Sequence, residues 1–193
     1  MANDFTDPEH LYRNNGDGTF TDVLEQAMPY TSWSSMGADC ADLNNDGLLD
    51  LFVADMAATT HYKSKVTMGD MGDRRWFLEN AWPRQIMRNN LFLNTGTPRF
   101  METAFLCGLA GTDWSWAVKL ADLDNDSRVD VYVTNGASRM ITDADITVTP
   151  QMLVGKTEWE LWKEQPTMKE VNLAFRNKGN LQFEQTAKPW GLA

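Results

Sequence analysis

The chain contains few of the residues on which redox, zinc or nucleophilic chemistry usually depends. Its 193 residues include only two cysteines, Cys40 and Cys107, and two histidines, His10 and His61. Two cysteines make no disulfide framework, and nothing in their spacing argues for a disulfide. Neither histidine has a serine or cysteine neighbour in the pattern of a nucleophilic hydrolase. The sequence therefore predicts that the chain is not an enzyme.

Basic residues and long apolar runs are scarce as well. Lys and Arg total 17 against 27 Asp and Glu, which gives a formal net charge of -10. Because a nucleic-acid-binding protein is expected to carry a basic patch, this balance argues against DNA or RNA as a partner. No run of about 18 apolar residues occurs, and residues 1–8 have neither the basic nor the apolar region of a signal peptide. The sequence predicts no membrane span and contains no export signal in this segment.

Two acidic segments are the most informative feature that is present. The first acidic loop, residues 42–50, and the second acidic loop, residues 122–130, lie 80 positions apart. Oxygen-bearing side chains fall at positions 1, 3, 5 and 9 of both loops, and the main-chain carbonyl at position 7 can add a ligand. Hard oxygen donors without Cys or His favour calcium or magnesium over zinc or copper. The predicted ligands of two calcium ions are Asp42, Asn44, Asp46, Leu48 and Asp50 in the first loop and Asp122, Asp124, Asp126, Arg128 and Asp130 in the second.

The two predicted calcium sites differ in ways that oppose each other. Asp124 stands where the first loop has Asn44, and so adds a carboxylate. Ser127 replaces Gly47 at a position where the turn favours a positive φ, which costs a non-glycine residue about 1–2 kcal/mol. The sequence therefore leaves the order of the two affinities open. Without a cation, so many carboxylates within nine residues would repel one another.

The residues that follow each loop indicate which family of calcium-binding loop is present. An EF-hand would place a bidentate Glu at position 12, where these loops have Val53 and Val133. Instead, residues 51–54 and 131–134 are β-branched and aromatic runs of strand length. The acidic loops are therefore predicted to connect β-strands.

The repeat extends beyond the acidic loops. Residues 11–20 match residues 91–100, and a third copy lies at residues 173–183. Each copy has a short apolar stretch, an Asn/Gly-rich turn and a Phe-containing stretch, as in a β-hairpin. Repeated antiparallel units of this size are typical of propeller blades. The sequence predicts an all-β fold, a partial β-propeller of about two and a half four-stranded antiparallel blades with helical insertions.

The predicted boundaries follow the repeat. They give a terminal hairpin of a preceding blade at 11–23, a blade at 31–110 with an insertion at about 56–90, and a blade at 111–190 with an insertion at about 137–171. Closed propellers have about 4 to 8 blades, so the chain is predicted to be a piece of a longer protein whose other blades are its partners. It is expected to form an open arc with exposed edges. Both insertions are expected to project from one edge, since they connect equivalent strands.

Helices are predicted only within the insertions, at residues 74–88 and 153–163. Large aromatic residues are usually buried, so the tryptophans are interpreted as packing residues rather than as a platform for sugar. This interpretation covers Trp114, Trp116, Trp159 and Trp162.

Nearly the whole chain resembles the FG-GAP and VCBS repeat propellers, which share their calcium loop with integrin α-chains. The similarity is carried, in order, by residues 84–91, residues 113–117, the second acidic loop and residues 190–192. It points in particular to the cartilage-acidic-protein-like, ASPIC/UnbV-associated group of secreted bacterial proteins. The chain departs from that group at Ser127, where Gly is usual, and has no ASPIC/UnbV terminal domain.

The resemblance implies a calcium-stabilised module in the extracellular space, the periplasm or at the cell surface. It would act in interaction or adhesion with a protein or a glycan. The alternative is part of a secreted polysaccharide-processing enzyme with its site on the insertion face. Carboxylates or Tyr, Lys and Arg residues that converge in one deep pocket would favour the enzyme, whereas a shallow polar surface would favour the interaction module.

Overall fold

The computed structural model describes residues 1–4, 7–67, 75–140, 143 and 149–193. Its strands are β1 (Tyr12–Asn14), β2 (Phe20–Asp22), β3 (Thr31–Ser32), β4 (Ser35–Ala41), β5 (Asp50–Asp55), β6 (Gln85–Ile86), β7 (Asn90–Asn94), β8 (Phe100–Glu102), β9 (Ser115–Ala121), β10 (Asp130–Asn135), β11 (Leu173–Asn177) and β12 (Phe183–Gln185). Its helices are α1 (Leu24–Ala27), α2 (His61–Val66), α3 (Arg75–Asn80), α4 (Pro150–Leu153) and α5 (Glu158–Trp162).

Two four-stranded antiparallel sheets contain most of the strand residues of the described structure. The first sheet has the strand order β4-β5-β7-β8, and the second has β9-β10-β11-β12 once its order is read from the other edge. β1 and β2 form a separate antiparallel hairpin, and β3 pairs in parallel with β6. The prediction of a mostly β chain built from antiparallel sheets is confirmed. In the described part of the chain, neither sheet closes on itself.

The two large sheets share one pattern of strand pairing. In the first sheet Leu51 lies opposite Phe92, and in the second Val131 lies opposite Phe175. The first two strands of each sheet repeat at an interval of 80 residues, from Leu51 to Val131, whereas the third strands repeat at 83, from Phe92 to Phe175. The connection before β11 is therefore three residues longer than the connection before β7. The pairing of the strands is nevertheless the same in the two sheets.

The main apolar core lies between the two sheets. β4 packs closely on β9: a Cβ atom added at Gly37 would lie 3.1 Å from the Cα of Ala117, so a larger residue would push these strands apart. Side chains from both sheets then fill the space between them, and burial of each large one contributes roughly 1.5–3 kcal/mol. The fully buried members include Phe52, Leu91, Leu109, Val131 and Val133.

A smaller core covers the opposite face of the first sheet. Leu24 and Ala27 of α1, with Met28, pack against Val53 and Phe92. Alternate residues of β5 and β7 thus enter different cores, as the period of two in a strand requires. The short helix α1 is held by this packing, because four residues cannot form a stable helix alone.

The helix predicted at residues 153–163 is present only in its second half, as α5. The structure has two short helices there, α4 and α5, separated by Gly155 at φ +70°. Thr157 then starts α5 with a capping box, in which its side chain accepts from the Glu160 N–H and the Glu160 side chain accepts from the Thr157 N–H. The other predicted helix is shorter than expected, at Arg75–Asn80, and Arg74 lies outside the described residues.

Two of the tryptophans predicted to pack inside are exposed. Trp116 is 47% exposed and Trp159 is 59% exposed. Trp116 has the parity of the buried Val118 and Leu120, but it lies at a β-bulge, where Ala117 pairs with Thr134 and Ser115 pairs with Asn135, so the alternation of sides is interrupted there. The packing interpretation is therefore wrong for Trp116 and Trp159.

Candidate calcium loops and the cleft between the insertions

The two acidic loops have the same backbone conformation. Each connects the first and second strands of its sheet. Asn45 and Asn125 have φ values of 59° and 58°, and Gly47 and Ser127 have 85° and 67°. Ser127 thus adopts the left-handed conformation that glycine adopts more easily, at a cost of about 1–2 kcal/mol. The second loop keeps the turn of the first despite this substitution.

The aspartate at position 1 holds each turn together. Asp42 accepts hydrogen bonds from the N–H groups of Asp46 and Gly47, at 3.1 and 2.8 Å. Asp122 accepts the equivalent bonds from Asp126 and Ser127, at 3.0 and 2.8 Å. The carboxylate is thereby fixed inside the turn and keeps lone pairs for a further partner.

The aspartate at position 9 ties each loop to the third strand of its sheet. Asp50 accepts from the N–H groups of Leu43 and Asn94, both at 2.9 Å, and is fully buried. Asp130 is equally buried and accepts in the same way from Leu123 and Asn177. Desolvation raises the pKa of both carboxyl groups, and the neighbouring loop carboxylates raise it further. Negative charge is therefore crowded in both loops.

The second loop brings three carboxylates together. One oxygen each from Asp122, Asp124 and Asp130 lie within 4.8 Å of one another. The Oδ1 atom of Asp124 is buried and has no hydrogen-bond partner in the part of the chain that the structure describes. A hard cation would satisfy this oxygen and offset most of the negative charge of the three carboxylates, so the donor set fits calcium.

The remaining predicted ligands make hydrogen bonds within the loops. Asn44 donates from Nδ2 to Asp46 at 2.9 Å, and Asp46 accepts from the Leu48 N–H at 2.8 Å. Asp126 accepts from the Arg128 N–H at 3.0 Å. Positions 5 and 7 are thus coupled in both loops, which fixes the peptide that leads to the position-7 carbonyl.

Asn177 joins the two loops and was not identified from the sequence. Its side-chain amide donates to the main-chain oxygens of Leu43, at 2.8 Å, and Val129, at 3.0 Å. The loops also touch directly, through the Asn45 amide and the Ser127 oxygen at 3.3 Å. The repeated Asn before the Gly of each hairpin turn was the available signal for this role, since a side-chain amide can both donate and accept hydrogen bonds.

A second polar cluster lies at the other ends of the strands, between the insertions. Lys63 of the first insertion contacts Asp113 at 2.7 Å and Glu170 of the second insertion at 2.9 Å. Desolvation lowers the pKa of Lys63, but the two carboxylates raise it above its ordinary value, so the amine is charged. The two insertions therefore meet at this contact.

A cleft of about 780 Å³ opens beside this cluster. Its walls include Lys63 and Arg88 from the first insertion and Phe105 from the turn after β8. Arg88 pairs with Glu102 at 2.9 Å and stacks on the rings of Tyr30 and Phe105, at 4.9 and 4.8 Å from their centroids. The cleft therefore combines apolar walls with charges that are already paired.

Comparison with known proteins identifies one family in part of the chain. A model of the FG-GAP-like repeat matches residues 2–53, about a quarter of the 193 residues. The match runs from the β1–β2 hairpin through β4 and the first acidic loop into β5, so the sequence unit is offset from the sheet unit. No curated protein matches the chain significantly. Among the described helices, none is long and apolar enough to cross a membrane.

Proposed function

We propose that the chain is part of a calcium-binding FG-GAP/VCBS propeller of the cartilage-acidic-protein-like, ASPIC/UnbV-associated type. In this proposal the two sheets are consecutive blades, the protein acts outside the cytoplasm, and its partner is a protein or a glycan. The observation that carries the proposal is the convergence of Asp122, Asp124 and Asp130 in a loop whose backbone repeats that of the first acidic loop. The FG-GAP-like repeat at residues 2–53 supports the family and the interaction role.

Bound calcium would have a structural role. A bound ion would supply positive charge and would contact several oxygen donors of each acidic loop at once. Because Asp50 and Asp130 also hold the third strands, ordering the loops orders one edge of each sheet. The insertions at the opposite edge remain available for a partner, as loops on a rigid scaffold often are.

The cleft is the part of this surface that the enzyme alternative would use. Lys63, Asp113 and Glu170 converge there, and convergent charged groups in a large pocket favour a polysaccharide-processing site. We prefer the interaction module because Lys63 already pairs with both carboxylates. Such pairing suits a bridge between the insertions better than it suits a free general base.

Calcium titration followed by calorimetry tests the proposal. We expect wild-type protein to bind calcium with a dissociation constant of about 0.1 mM, as extracellular modules do, so that ~1 mM calcium adds about 1.4 kcal/mol per site. Asp46→Ala and Asp126→Ala should each remove or weaken one site. Asp17→Ala is the matched control, because Asp17 lies in the exposed β1–β2 turn outside the loops. Wild-type melting that does not change between calcium and chelator would reject calcium binding.

A further inference from the structure

The acidic loops differ most in the cationic side chains near them. Position 7 is Leu48 in the first loop and Arg128 in the second. On the third strands, Leu93 of β7 occupies the same register as Arg176 of β11. At two equivalent positions, therefore, the first loop has leucine where the second has arginine.

Both arginines reach the carboxylates of the second loop. Arg176 Nε lies 2.6 Å from Asp124 Oδ2, and Arg176 Nη2 lies 3.1 Å from Asp126 Oδ2. Arg128 Nη2 lies 2.5 Å from the same Asp126 oxygen. Asp126 thus contacts two guanidinium groups, and it is the one predicted carboxylate of this loop that does not belong to the converging set.

The first loop has no such counterion among the described residues. No ion pair to a Lys or Arg side chain is formed there by Asp42, Asp46 or Asp50, whereas Asp124 and Asp126 both form one. Leu93, which replaces Arg176, is only 3% exposed and packs in the core between the sheets. The first loop must therefore obtain positive charge from an ion in solution, whereas the second loop has the guanidinium groups of Arg128 and Arg176 beside it.

We propose that Arg176 is a built-in counterion of the second acidic loop and competes with calcium for Asp124 and Asp126. The second loop then binds calcium more weakly than the first and keeps its conformation without calcium. The reason is electrostatic: a divalent cation at this site is repelled by the adjacent guanidinium and must draw Asp126 away from it. The inference rests on the proposed calcium binding and predicts which of the two loops binds calcium more tightly.

The test isolates the second loop in the full chain. In the Asp46→Ala background, Arg176→Leu introduces the residue that the first sheet has at this position. We expect the calcium dissociation constant of the second loop, measured by calorimetry, to fall on the order of fivefold. Arg84→Leu is the matched control, because it removes an equal charge from an exposed side chain of the first insertion and should leave the constant unchanged. Calcium affinity that stays equal or falls in both Arg176→Leu and Arg176→Gln would overturn the inference.

Thermal melting of the same variants gives a second readout. With chelator, Arg176→Leu and Arg176→Gln should melt below wild type, because the carboxylates have lost their counterion. Calcium should restore most of that difference. If neither variant folds even in calcium, Arg176 is needed for packing and the counterion role is wrong. Absence of calcium binding in wild type would reject the proposed function itself. Calcium binding at both loops with an affinity that does not change when Arg176 is substituted would reject this inference alone.

Discussion

At the scale of single residues, two buried carboxyl groups set a pH dependence unrelated to the acidic loops. Glu9 is 5% exposed and accepts a hydrogen bond from the Ser35 hydroxyl. Asp55 is fully buried and accepts from the N–H groups of Trp33 and Ser34, at 2.8 and 3.2 Å. Desolvation raises the pKa of each to about 7, and the charge of Glu9 contributes to the shift of Asp55.

We predict that the protein loses stability as the pH rises from about 5 to 8. The folded state keeps these protons up to about pH 7, whereas the unfolded state releases them near the ordinary values of 4.5 and 3.8. Folding therefore binds protons in this window, and the free energy of unfolding falls as pH increases. For Glu9 alone the change is about 3 kcal/mol.

Urea unfolding of Glu9→Gln in calcium-free buffer measures this contribution. The difference in unfolding free energy between pH 5 and pH 8 should shrink in the variant, because glutamine does not titrate. Glu25→Gln, which alters an exposed residue of α1, should keep the wild-type difference. Equal pH dependence in Glu9→Gln and wild type would contradict the assignment.

At the scale of secondary-structure elements, the ends of the third strands decide how the loops are held. Asn177 ends β11, is 1% exposed and links both acidic loops through its amide. Asn94 ends β7 at the equivalent position, but within the described part of the chain its amide donates only to the Leu49 oxygen, at 3.3 Å. The same residue type therefore joins two sheets in one repeat and stays within one sheet in the other.

We predict that Asn177→Ala destabilises the fold by about 1–3 kcal/mol, because it leaves a buried carbonyl oxygen of the first loop and a partly buried one of the second without their donor. Asn94→Ala is the matched variant and should cost less, since the bond that it loses is long and near the surface. Chemical denaturation of the two variants measures the difference. If both lose the same stability, Asn177 has no special role in joining the loops.

At the scale of the whole molecule, exposed apolar side chains and open strands are expected to promote self-association. The β1–β2 hairpin presents Tyr12, 51% exposed, and Phe20, 62% exposed, beside strand edges that carry no further strand in the described structure. Unpaired edges with apolar side chains readily pair with another copy. The net charge of -10 opposes this association without removing the edges.

Light scattering during size-exclusion chromatography tests that expectation. The apparent mass should rise with protein concentration and fall in the double variant Tyr12→Lys, Phe20→Lys. Val154→Lys serves as the control, because Val154 is 78% exposed but lies in the second insertion, away from the hairpin. A wild-type mass that stays monomeric at all concentrations would show that the hairpin is not an association surface.

The sequence alone determined the elements whose pattern is local. Oxygen donors at positions 1, 3, 5 and 9 identified both acidic loops, and short runs of β-branched and aromatic residues placed β5 and β10 directly after them. The repeat of 80 residues then predicted equivalent sheets. Such features are readable because neighbouring residues fix them, through the period of two in a strand and the turn chemistry of Asn and Gly. The helix predicted at 153–163 is shorter in the structure, because the turn at Gly155 interrupts its first half.

Only the tertiary structure decided which charges meet. Lys63 reaches Glu170 across 107 positions, Arg176 reaches Asp126 across 50, and the Asn177 amide reaches Leu43 across 134. These contacts depend on how the two sheets pack and on where the chain re-enters each sheet after insertions of different length. A pattern of residues close together in the sequence therefore cannot predict them. The raised pKa values of Glu9 and Asp55 also depend on the tertiary structure, because a carboxyl group changes its pKa only after folding removes it from water.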